Sequence, residues 1–214
     1  MAVELTALDV MTDAPVIPVI VLNDVNDAVP MAQALVAGGI RMLEVTLSTP
    51  AALACIEAIA RHVPDAVVGA GTIRTAADAK AAAAAGARFA VSPGFTNTMA
   101  QACADVNLPL LPGVATSSEV MMAREAGFQY MKFFPAVQAG GIPMLKAWQG
   151  PFFDVKFCPT GGVSPSNAAE FLALSNVVCV GGSWLVPADA VAQKEWSRIT
   201  TLAWDTATLK KHHA

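Results

Sequence analysis

Residues 16–47 read VIPVIVLNDVNDAVPMAQALVAGGIRMLEVTL, and the way this stretch repeats along the chain decides the fold. It holds a β-branched apolar run, an alanine-rich helical segment closed by Gly38-Gly39, and a second apolar run. Further runs begin near Val67 (VVGAGT), Phe89 (FAVSPG), Pro109 (PLLPGV), Tyr130 (YMKFFP), Val155 (VKFCPTGG) and Val177 (VVCVGGSW). Together with Val16 and Arg41 they make eight starts, spaced 20 to 26 residues apart. Each interval has room for a strand, a loop and a helix of about three turns, the repeat of a parallel α/β fold. Gly38-Gly39, Gly86 and Gly127 end helical segments where a C-cap glycine belongs. Thr49-Pro50 and Ser164-Pro165 read as an N-cap followed by proline at the first helical position. Strands this apolar must be covered on both faces. Eight units without a linker-like break predict one domain over residues 1–214, a closed (β/α)8 TIM barrel. Residues 1–13 precede the first strand and could form a short N-terminal helix over the barrel floor. An open doubly wound sheet is the alternative; the missing G-x-G-x-x-G after the first strand argues against its dinucleotide-binding version.

Composition narrows the function. With 55% hydrophobic and 14% charged residues, the chain is neither disordered nor fibrous. A net charge of −4 leaves no electrostatic footprint for nucleic acid. Cys55, Cys103, Cys158 and Cys179 form no C-x-x-C pair and read as reduced core thiols. The N-terminus lacks the basic start and apolar block of a signal peptide. The uncharged run 171–188 is broken by Ser175-Asn176, Gly181-Gly182 and Pro187, so it reads as helix end, turn and buried strand. A soluble, cytoplasmic protein with no membrane partner is expected. His62, His212 and His213 are the only histidines, and neither a metal nor a cofactor is expected. Asp78 with Lys80 and Glu119 with Arg124 read as solvated helix faces.

In a barrel the site lies at the C-terminal ends of the strands. Lys132 stands inside Tyr-Met-Lys-Phe-Phe, a strand covered on both faces, where a full-time ammonium is costly unless paired. A desolvated amine gives up its proton more readily and can form a Schiff base with a carbonyl. A structural salt bridge is the plainer reading. Glu44 is the only acid in Met-Leu-Glu-Val-Thr-Leu, sharing a face with Met42 and Thr46 as Lys132 does with Phe134. If both even-numbered sets point inward, carboxylate and amine meet in one apolar pocket, as an ion pair or as an acid/base beside an imine-forming lysine. Thr72 and Thr160 add hydroxyls at two strand ends. Gly161-Gly162 and Gly181-Gly182-Ser183 end the last two strands, where barrels often bind phosphate through backbone N–H groups. Both glycine clusters also serve as tight turns.

LEVTL, VGAGT, SPG, KFFPA, FCPTGG and GGSWLVPAD resemble the 2-keto-3-deoxy-6-phosphogluconate/4-hydroxy-2-oxoglutarate aldolases, from about Val16 to Trp204. The resemblance implies a class I pyruvate aldolase of the Entner–Doudoroff pathway, a cytoplasmic homotrimer acting on 2-keto acids and aldehydes. It implies Lys132 as Schiff-base lysine and Glu44 as proton shuttle. It places Thr72, Thr160, Phe134 and Pro93 around the pyruvate, with Gly161, Gly162, Gly182 and Ser183 around the phosphate. Two positions depart from the family pattern. Ser48 stands where the family carries a carboxylate-gripping arginine, and Val137 where it often carries glutamate. They point to altered substrate choice in a natural or an engineered variant. A sugar-phosphate isomerase or epimerase, or a non-catalytic barrel for phosphorylated ligands, are the competing readings.

Overall fold

The computed structural model describes residues 5–207 and 209; His212 and His213 lie outside the described residues. Strands β1 (Val16–Ile20), β2 (Met42–Thr46), β3 (Val67–Gly71), β4 (Ala90–Val91) and β5 (Leu110–Leu111) begin within a residue of the apolar runs that announce them. After Pro112 the chain continues as β6 (Gly113–Val114), followed by β7 (Tyr130–Phe133), β8 (Lys156–Pro159) and β9 (Val180–Gly182). All pairings are parallel among the described residues. One curled sheet runs β5-β4-β3-β2-β1-β9 and a second runs β6-β7-β8. Pro112 divides β5 from β6 because it has no N–H to give a ladder, yet its carbonyl accepts the Lys132 N–H at 2.8 Å. Between β8 and β9 stand two isolated bridges, Phe157 with Val177 and Thr160 with Gly181.

The two faces of the strands bury different things. Leu43, Val45, Val68 and Met131 point outward into the main core, against Met31, Leu35, Ile56 and Ile59 of helices α2 (Ala28–Ala37) and α3 (Ala52–His62). Ile17, Met42, Phe89 and Leu111 join a second cluster with Val10 and Met11 of α1 (Ala7–Thr12). The short N-terminal helix therefore seals the end where Met42, Val67 and Tyr130 open their strands. It is held at its start by a capping box between Thr6 and Asp9, and beyond its end by an Asp13–Arg41 ion pair.

Two local expectations are corrected. Thr49-Pro50 and Ser164-Pro165 lie in turns ahead of α3 and of α8 (Ala168–Leu172), and neither hydroxyl caps a helix. The Thr49 hydroxyl donates instead to the Leu22 carbonyl, and the Ser164 hydroxyl meets Ser166. Asp78 and Glu119 are not idle solvated charges. They close capping boxes with Thr75 and Thr116 at the starts of α4 (Ala76–Ala84) and α6 (Ser117–Glu125), while Arg124 pairs with Asp154 rather than Glu119. Gly39, Gly86 and Gly127 do take left-handed φ of 88°, 91° and 93° just past helix ends, as expected of C-cap glycines. Along 171–188 the chain runs from helix end through a turn into β9, and no helix among the described residues is long and apolar enough to cross a membrane.

Candidate active site

The alternation of β2 and β7 carries the site. Residues 42, 44 and 46 point to the same side, as do 130, 132 and 134, and on both strands that side is the inner one. Glu44 and Lys132, 88 residues apart in sequence, thereby meet: Lys132 Nζ donates to Glu44 Oε1 at 3.1 Å. The Lys132 and Glu44 side chains are 7% and 3% exposed, so the pair is almost wholly withdrawn from water. The Phe134 ring, its centroid 5.2 Å from Nζ, gives the ammonium form a second partner. Two buried charges placed this way are a poor device for stability, since their desolvation offsets most of their attraction.

Around this pair the strand ends supply small and polar groups. Thr160, following β8, is buried and bridged to Gly181; its hydroxyl reaches the Cys158 carbonyl at 3.4 Å. Phe134, Thr160, Gly161, Gly162, Gly182 and Ser183 line one cavity of about 160 Å³. Gly161 and Gly162 hold left-handed φ of 96° and 77°. Their carbonyls are taken up by the Val137 N–H and by Asn167 Nδ2, so what these glycines can offer a ligand is their N–H groups. No group of three or more His, Cys, Asp or Glu is gathered among the described residues.

Lys132 and Glu44 do not line that cavity, and neither do the remaining expected residues. Ser48, exposed after β2, has its Oγ 2.7 Å from Thr46 Oγ1, and Thr46 Oγ1 donates to the Ile20 carbonyl at 3.1 Å. Pro93 follows β4, with its main chain packed on Gly113, the residue in register with Lys132. Thr72 follows β3 with φ 59°, a left-handed conformation costly for a β-branched residue. Sequence reading misses Gly71, and it names Thr46 only as a residue on the Glu44 face and Gly181 only within the glycine cluster that ends the last strand. Gly71 and Gly181 lie directly against the Glu44 carboxylate and the Thr160 hydroxyl. The clue was available in Val-Gly-Ala-Gly, where alternate positions of one strand face are glycine.

The sequence profile of the KDPG and KHG aldolases matches residues 8–202. A 2-dehydro-3-deoxy-phosphogluconate aldolase of Pseudoalteromonas atlantica is 52% identical over 200 residues, covering 94% of this chain and 93% of that protein. The KHG/KDPG aldolase of Escherichia coli K12 is 50% identical over 198 residues, covering 92% and 93%. Among solved structures, a KDPG aldolase from Legionella pneumophila superposes with a TM-score of 0.93 at 49% identity, covering 96% of this chain and all of that one. That enzyme was captured with pyruvate as a covalent carbinolamine intermediate.

Proposed function

This chain belongs to the KDPG and KHG aldolase family, and on that premise we propose that Lys132 is its imine-forming amine and Glu44 its proton shuttle. The protein is a class I aldolase, a carbon–carbon lyase. It reversibly cleaves 2-keto-3-deoxy-6-phosphogluconate to pyruvate and glyceraldehyde 3-phosphate, and 4-hydroxy-2-oxoglutarate to pyruvate and glyoxylate. The observation that carries the assignment of residues is the buried 3.1 Å contact between Lys132 Nζ and Glu44 Oε1.

The unprotonated Nζ of Lys132 attacks the C2 carbonyl of the keto acid, and the carbinolamine loses water to give a protonated imine. Glu44 takes the proton of the C4 hydroxyl as the C3–C4 bond breaks. The bonding electrons enter the imine as an enamine, and the aldehyde leaves. Glu44 returns a proton to C3, and water hydrolyses the imine to free pyruvate and the amine. Phe134 keeps water sparse around the reacting atoms. The N–H groups of Gly161, Gly162 and Gly182, with Ser183, hold the phosphate of the substrate. Thr72, Thr160 and Pro93 shape the pyruvate end, and exposed Ser48 offers its carboxylate a neutral hydroxyl. With Val137 in place of glutamate, this altered end shifts the choice of keto acid and aldehyde.

The same proposal covers the architecture and assembly. The two sheets are arcs of one closed (β/α)8 barrel formed by residues 1–214 as a single domain. Support comes from the two β8–β9 bridges at one seam and from Pro112, which joins β5 to β6 at the other. The homotrimer and the cytoplasmic location rest on the family resemblance; sedimentation equilibrium tests the former.

The deciding experiment is incubation with pyruvate and sodium borohydride, followed by intact-mass measurement and peptide mapping. A reduced pyruvate adduct on Lys132 is expected. An adduct on another lysine, or none with any keto acid, would overturn the assignment.

A further inference from the structure

We infer that Gly71 is a positioning residue for the aldol chemistry, acting through the space its missing side chain leaves for Glu44. The inference rests on the reading of Glu44 as proton shuttle and goes beyond it by naming what aims that carboxylate. Gly71 closes β3 in register with Thr46, next to the strand that carries Glu44. Its φ lies outside the left-handed region, so the backbone there does not call for glycine. A strand interior ordinarily loses stability from glycine, which leaves close approach as the reason for it.

The approach is made by Glu44. A Cβ built on Gly71 would stand 2.4 Å from Glu44 Oε1, 2.7 Å from its Cγ and 2.9 Å from its Cδ. The carboxylate thus reaches Lys132 by lying across Gly71, and Oε1 is the very atom that accepts from Nζ. One position earlier on the same face, Gly69 gives way in the same manner to the Phe89 ring, 2.4 Å from where its Cβ would be. Phe89 is fully buried in the cluster beneath the site. β3 therefore serves as a smooth wall against which one neighbour packs its aromatic base and the other extends its acid. An alanine at 71 meets a flexible side chain rather than backbone, so Glu44 swings off and Oε1 leaves Nζ while the strand stays in place.

The test uses Gly71→Ala, Glu44→Ala and the double variant, reading three quantities: the borohydride-trapped pyruvate adduct on Lys132, deuterium exchange into the pyruvate methyl group, and Tm. Exchange reports proton transfer at C3 and requires an aimed carboxylate, whereas trapping requires only the amine. Gly71→Ala is expected to keep the adduct, to lose at least tenfold in exchange and in kcat, and to leave KM within about threefold. In the Glu44→Ala background the same substitution is expected to leave exchange unchanged and to hold or raise Tm, because the atoms it would strike are gone and a strand glycine is replaced. Wild-type exchange in Gly71→Ala, or a further loss of exchange and Tm when it is added to Glu44→Ala, would overturn the inference. Should Gly71→Ala fail to fold, the double variant decides. Folding with a Tm equal to or above that of Glu44→Ala supports a role through Glu44, and a lower Tm or failure to fold overturns it. Wild-type exchange in Glu44→Ala alone would instead remove Glu44 from the reaction, and the role of Gly71 with it.

Discussion

Lys132 and Glu44 occupy a place where neither would persist as ornament. Removing one partner of a buried pair leaves the other uncompensated, at a cost of about 3–5 kcal/mol. Lys132→Met should therefore lose both turnover and stability by urea unfolding, and wild-type-like rates in that variant would end the imine scheme. Thr72 poses the opposite balance. Its left-handed backbone, φ 59°, costs about 1–3 kcal/mol for such a residue. Thr72→Gly relieves that strain and should unfold at an equal or higher urea concentration. Without the hydroxyl it should nonetheless fall at least tenfold in kcat/KM. Ser48 is open to improvement. A guanidinium at this position can meet a carboxylate with a charge-assisted bond of about 1.5–3 kcal/mol. Ser48→Arg is expected to lower the pyruvate concentration for half-maximal trapping by roughly tenfold or more. An unchanged concentration dependence would place the carboxylate elsewhere.

Among the elements, strands were legible because β-branched apolar runs leave a signature that does not depend on partners. Glu44 and Lys132 were legible for the same reason, as charges inside runs otherwise apolar. Helix starts were less so. Thr49 and Ser164 have the chemistry of N-caps, but the Leu22 carbonyl and Ser166 claim their hydroxyls, whereas Thr75 and Thr116 found their acid three residues on. The break at Pro112 and the close approaches at Gly69 and Gly71 depend on which strand lies alongside, and no single segment states that. Helix α5 (Asn97–Asp105) makes a prediction of its own. Burial pushes the Cys103 thiol up to about 11, from an ordinary value of 9.0. Because the folded state favours the neutral thiol, its contribution is intact below pH 9 and is lost as pH rises toward 11. The urea midpoint should fall over that range, and less steeply in Cys103→Ala; equal slopes would show that Cys103 does not contribute.

At the scale of the whole molecule, the proposed closure has a measurable correlate. The Val178 N–H donates to the Phe157 carbonyl across one seam, and the Lys132 N–H to the Pro112 carbonyl across the other. In a closed barrel both amides should exchange with solvent only through global unfolding, as slowly as the amides of β2. Faster exchange at Val178 alone would mean a ring that opens between β8 and β9. The parallel α/β class was readable from the spacing of apolar runs. The seam was not, because β8 and β9 meet through two bridges instead of a continuous ladder.

The helix plug at the strands' starting end has a kinetic consequence. Val10 and Met11 stop that end, and the cavity lined by Phe134, Thr160 and the glycine turns lies at the other. On the proposed chemistry the pyruvate fragment stays bonded to Lys132 as the enamine when the aldehyde is released. Departure is then sequential, aldehyde first and pyruvate last. Pyruvate should compete with the substrate for free enzyme, while the aldehyde should inhibit by recapturing the enamine before it is protonated.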